Sequence, residues 1–86
     1  MSEAPKTAWV TKYALTSGLV ERNVLRLDDD GYVVVLWPGA LNGREMLGRR
    51  DWAPTREAAL ARAEEMRAAK IASLRRQIER LESLEF

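Results

Sequence analysis

A chain of 86 residues makes one small domain, at a size where a single core is marginal and association often supplies missing burial. It has no cysteine and no histidine, which excludes disulfides and thiolate metal sites and removes the commonest general base and metal ligand. Fourteen basic and thirteen acidic side chains leave a formal charge of +1, so no global field draws the protein to nucleic acid or to an anionic membrane.

Met1 to Lys6 is small and polar with Pro5 inside it, and is expected to be disordered. It lacks a basic stretch followed by an apolar run, and nothing later approaches a membrane span, so the expected location is cytoplasmic. Ala8 to Thr16, AWVTKYALT, is rich in β-branched and aromatic residues and reads as a first strand. Trp9, Tyr13 and Leu15 would lie on one side of its pleat, with Val10, Lys12 and Ala14 on the other. Ser17 and Gly18 then suit a two-residue hairpin turn.

LVERNVLRL reads as a second strand in which Val20 and Val24 share a face with Arg22 and Arg26, its polar middle being solvent-facing or bulged. The DDDG run, Asp28 to Gly31, predicts a tight turn with Gly31 in the left-handed position. YVVVLW is the third strand, and an apolar run of this kind usually has both faces covered. It is therefore placed mid-sheet or under a helix. PGALNG forms a loop, and Glu45 to Arg49 could supply a short edge strand. The sheet is thus expected within residues 7–50.

From Thr55, the expected N-cap, to Glu85 the chain reads as one helix of about thirty residues and about 45 Å. Strands of about seven to nine residues reach only about 25 to 30 Å, so this helix should overhang its sheet. Its first half is alanine-rich, with Leu60 and Met66 as the larger apolar members. In its second half Ile71, Leu74, Ile78 and Leu81 alternate spacings of three and four, the seam of a coiled coil. That seam either folds onto the chain's own sheet or meets a second chain, and the second is favoured. The expected fold is therefore α+β: an antiparallel meander of three or four strands followed by one long C-terminal helix, in a single domain.

Candidate chemistry is sparse. The triple aspartate has the wrong spacing for a Ca²⁺ loop, since the Glu needed about eleven residues after Asp28 is replaced by Gly39. The glycines between Pro38 and Gly48 do not form a P-loop, because Arg44 and Glu45 follow Gly43. No cofactor or metal is expected, and no catalytic constellation is evident; an enzyme using Tyr13, Lys12 or the aspartates is a residual alternative. Arg44, Arg49, Arg50 and Arg56 gather around Trp52, a set that can hold an anion or stack a base. A solvated basic edge, with Trp52 packed under the helix, is the favoured reading, and nucleotide or nucleic-acid binding is the alternative.

Trp9 to Leu19, WVTKYALTSGL, and Arg62 to Phe86, RAEEMRAAKIASLRRQIERLESLEF, resemble the opening and closing segments of a group of short proteins from bacteria and their phages. The resemblance covers a little under half of the chain and carries over no catalytic or binding residues. It implies a phage or prophage accessory protein, a class that often acts by stoichiometric binding to a host macromolecule, including inhibition of host defence. The expectation is a non-enzymatic binding protein, homodimeric through Ile71, Leu74, Ile78 and Leu81.

Overall fold

The computed structural model describes residues 5–86. Their order is β1 (Thr7–Val10), α1 (Ala14–Ser17), β2 (Val20–Leu27), β3 (Val33–Leu36), β4 (Arg44–Leu47), β5 (Trp52–Ala53) and α2 (Arg56–Glu82). The fold is α+β, an antiparallel sheet of five strands ordered β4-β3-β2-β1-β5 and followed by one long helix. The expected disorder of residues 1–6 falls mainly on residues 1–4, outside the described ones. Lys6 departs from it, since its carbonyl accepts the Val24 N–H at 2.9 Å.

The first strand is shorter than its composition suggests. Thr11 and Lys12 both turn their N–H groups to the Asp51 carbonyl, at 2.8 and 3.1 Å, which takes them out of the ladder with β2. The buried Thr11 hydroxyl also donates to the Arg50 carbonyl. Beyond this clamp the chain winds into the single turn α1, and Gly18, at φ 80°, leads into β2. The two-residue hairpin at Ser17 and Gly18 does not form. A long-range backbone contact has overridden local strand propensity.

The register assigns the faces. Ala8 is opposite Arg22 and Val10 is opposite both Val20 and Trp52, so these side chains share one face. A bulge between Val24 and Arg26 changes the parity of β2. Val24 and Leu27 therefore join Val33, Val35 and Leu47 on that face, while Arg26 turns to the other side with Val34. This corrects the expectation that Arg26 shares a face with Val20 and Val24. The core is Ala8, Val10, Val33, Val35 and Leu47, with Tyr13, Val24, Leu27, Trp37 and Trp52 packed against it.

The sheet has to curl. A flat sheet of five strands separates its edges by about 19 Å, yet β4 and β5 are joined by residues 48–51, a turn closed by Asp51 N–H donating to Gly48 O at 3.0 Å. Trp52 fastens the curl, its Nε1 donating to the Gly31 carbonyl at 2.9 Å. β5 thus links β1 to the β2–β3 turn. As a sheet strand it was not expected from the sequence, where residues 51–54 read as a connection.

Helix α2 begins where the Thr55 hydroxyl accepts the Ala58 N–H at 3.2 Å, with Glu57 in the first turn. Its main contacts are with β1, β5 and α1. Of its residues only Ala59 is buried, with Arg62, Ala63 and Met66 half-buried; from Arg67 onward every residue but Ser73 is exposed.

Candidate functional site

Four kinds of surface stand out once the faces are fixed. The first is the overhang of α2. Ile71, Leu74, Ile78 and Leu81 are 42, 43, 54 and 66 % exposed, so the seam does not return to the chain's own sheet. At 100° per residue it lies roughly a quarter turn around the helix from the sheet-facing Ala59, Ala63 and Met66. Leu84 and Phe86 continue the exposed apolar surface past the helix end. Lys70, Arg75, Arg76, Glu79 and Glu82 flank it.

The basic set does not stay together. Arg49, Arg50 and Trp52 line one cleft of about 460 Å³ with Ala58, Arg62 and Glu65. Arg44 belongs elsewhere, opposite Leu36 on the β3–β4 ladder and lining a different cleft with Arg26 and Asn42. Arg56 opens α2, is exposed, and lines neither. Arg62, absent from the sequence-based set, takes its place because six residues, about one and two-thirds helical turns beyond Arg56, put it on the side of α2 that faces Trp52 and Ala53. Its Nε is buried without a hydrogen-bond partner, and its guanidinium meets Glu65 at 3.5 Å. Trp52 is half-buried: its ring serves the core and its N–H is taken by Gly31.

The third surface is the outer face of β2, β3 and β4. Leu25, Leu36 and Met46 are exposed there around the nearly buried Val34, with Arg26 and Arg44 beside them. The run YVVVLW implies cover on both sides of β3, but α2 lies over β1 and β5, so this face is bare. Its apolar character was legible in the sequence, its exposure was not.

The fourth is a polar cluster at the open end of the core. Tyr13 donates its hydroxyl to Glu45 Oε1 at 2.6 Å, and Lys12 Nζ is 3.5 Å from the same oxygen. The hydrogen bond to Glu45 is the main cause that holds the Tyr13 pKa above 10.0, with desolvation second. The Lys12 pKa is raised above 10.5, first by the charge of the adjacent Tyr13 phenolate; desolvation opposes it, and the hydrogen bond and charge of Glu45 add further upward contributions. Both groups thus keep their protons at neutral pH, so Tyr13 acts here as a hydrogen-bond donor and Lys12 as a cation. Their chemistry is that of a clasp between the β1–α1 turn and β4. Beside it Tyr13 and Trp37 lie tilted at 56° with centroids 5.7 Å apart, and the Arg22 guanidinium stacks 4.8 Å above the Trp37 ring.

Among the described residues, no group of three or more Asp and Glu side chains is placed to hold a metal ion, and no helix is long and apolar enough to cross a membrane. Asp28 instead meets Arg26 at 3.2 Å and closes its turn by accepting the Gly31 N–H at 3.1 Å. Compared with family models, curated proteins and solved structures, the chain finds no match.

Proposed function

We propose that this is a small non-enzymatic binding protein that works as a homodimer joined through the second half of α2. The observation that carries the reading is the overhang itself: an apolar seam at coiled-coil spacing, exposed on a rigid rod beyond the sheet. An exposed stripe of large aliphatic residues costs solubility unless something covers it. With the resemblance to short phage and bacterial proteins, the same reading makes the molecule a phage or prophage accessory protein, cytoplasmic, that acts by occupying a host macromolecule, inhibition of a host defence component included.

Light scattering on the purified chain at tens of micromolar should give twice the mass of one chain, and Leu74→Glu with Ile78→Glu should give one. A wild-type mass of a single chain sinks the dimer. Affinity capture from host lysate, compared between wild type and this double variant, tests host binding separately; capture of nothing above the background by either counts against it.

A second reading rests on the cleft of Arg49, Arg50, Arg62 and Trp52, where an unpartnered guanidinium N–H and an aromatic edge suit a nucleotide or single-stranded nucleic acid. Such binding should weaken steeply between 50 and 200 mM salt, about as expected for phosphate contacts, and should change Trp52 fluorescence. Absence of both responses removes it.

A further inference from the structure

The flanks of the seam contain information about direction as well as contact. The direction of pairing rests on the dimer proposed for the overhang and adds its geometry. With Ile71 and Ile78 at positions a, and Leu74 and Leu81 at positions d, the repeat runs outward to Arg67 at d and Glu85 at a. Lys70 and Gln77 fall at g, Arg75 and Glu82 at e. The two possible directions use the same four aliphatic residues and differ almost wholly in which charges meet.

In a parallel pair a faces a, d faces d, and g of one helix faces e of the other. Arg67 would then meet its own copy, Glu85 would meet its own copy, and Lys70 would face Arg75 on both flanks. These contacts all repel. In an antiparallel pair a faces d and e flanks e. With Ile71 on Leu81 and Leu74 on Ile78 of the second copy, Arg67 comes level with Glu85, and Arg75 shares a flank with Glu82, each contact occurring twice by symmetry. These named contacts attract; Arg75 also stands about 3 Å along the axis from its own copy on that flank, a repulsion that its pairing with Glu82 has to outweigh.

The wider charge distribution agrees. Lys70, Arg75 and Arg76 occupy the near part of the overhang, whereas Glu79, Glu82 and Glu85 occupy the far part, with Arg80 the one cation among them. Reversing one helix lays the basic part on the acidic part and also opposes the two helix dipoles. Glu85 lies just past the last helical residue, and Arg67 also pairs with Glu64 on its own helix. The register therefore rests mainly on Arg75 and Glu82, both helical and exposed. We infer that a second copy covers the seam in antiparallel orientation, with Arg75 and Glu82 paired across the flanks and the two sheets at opposite ends of the assembly.

The chain has no cysteine, so an introduced thiol is unique. In the antiparallel pair Ile71 of one copy lies beside Leu81 of the other and about 15 Å along the axis from its own counterpart. Full-length Ile71→Cys and Leu81→Cys, treated with a short bis-maleimide, should each give little covalent dimer alone and abundant covalent dimer when mixed and re-equilibrated. Efficient self-linking of either single variant identifies a parallel pair and overturns the inference while leaving the dimer standing; a wild-type mass of one chain by light scattering removes both.

Charge reversal supplies an independent sign. Arg75→Glu should raise the dimer dissociation constant about tenfold, through two lost attractions and two new repulsions, and Arg75→Glu with Glu82→Arg should restore it. In a parallel pair Arg75→Glu would give Lys70 a partner and tighten the dimer, an outcome that contradicts the antiparallel arrangement. Ile71, Arg75 and Leu81 are all exposed on α2 beyond the sheet, so the fold does not depend on them.

Discussion

Gly31 shows how much one residue can hold. It sits at φ +89°, and its carbonyl accepts the Trp52 indole N–H that fastens β5 to the β2–β3 turn. A Cβ there would come within 2.7 Å of Arg49 Cγ, close to the Arg49 backbone and hard to move. Gly39 has a similar φ of +96° but open space around it. Gly31→Ala should therefore destabilise by about 2 kcal/mol or more, and Gly39→Ala by about 1 kcal/mol, measured as the shift in urea midpoint. Equal losses would mean that the Arg49 contact carries no weight. The left-handed glycine was legible in DDDG; the indole bond was not, because nothing local announces a tryptophan that answers a carbonyl 21 residues earlier. The Tyr13–Glu45 clasp is likewise invisible in sequence, the two residues lying 32 apart. Its signature is a titration. The folded Tyr13 pKa is raised, so whatever the clasp contributes is present in full below about pH 10 and is lost as pH rises through the folded value. Absorbance at alkaline pH should show Tyr13 ionising late, and Glu45→Gln should bring its midpoint down toward 10.0.

Within an element, neighbouring positions can have opposite fates. On β4, Leu47 is 0 % exposed in the core while Met46 is 56 % exposed on the bare outer face. Leu47→Ala should cost about 3 kcal/mol, and Met46→Ala less than about 1 kcal/mol, both from chemical denaturation. Similar costs at the two sites would require the outer face to be covered. The edge strand expected over Glu45 to Arg49, after the turn signal of Asn42 and Gly43, lies at Arg44–Leu47. β1 departs further from its expected span. AWVTKYALT has a strand's composition throughout, yet Asp51 captures the N–H groups of Thr11 and Lys12 and turns the rest into α1. β5 escaped because two residues, Trp52 and Ala53, give no period to detect. α2 was the most legible element, with Thr55 as its cap, since a long run of helix formers needs no tertiary information to be recognised. Which strands it would cover was not contained in its own pattern: the alanine stripe says that something close-packed lies beneath, and the register of β1 and β5 decides what.

The whole molecule is long for its chain length. Its radius of gyration is 16.8 Å and its longest extent 60 Å, against about 12 Å for the radius of a compact chain of this size. The excess is the overhang, since the burial of α2 is concentrated at Ala59, Arg62, Ala63 and Met66 while the seam residues are exposed. That separation implies that folding and association can be pulled apart. A chain ending at Ala69 keeps the sheet, the Trp52 clasp, the Thr55 cap and the buried Ala59, and loses the seam. Near-ultraviolet circular dichroism from Trp9, Trp37 and Trp52 should survive the truncation, and the mass should be that of one chain. The melting temperature is the sharper measure. A dimer is stabilised by mass action, so the full chain's midpoint should rise with protein concentration while the truncated chain's should not. If the truncated chain loses its near-ultraviolet signal, the sheet depends on the overhang and the two halves of α2 do not have separate roles. If it stays folded and its midpoint still climbs with concentration, association runs through another surface, and the bare outer face of β2, β3 and β4, with Leu25, Leu36 and Met46, is the one left to supply it.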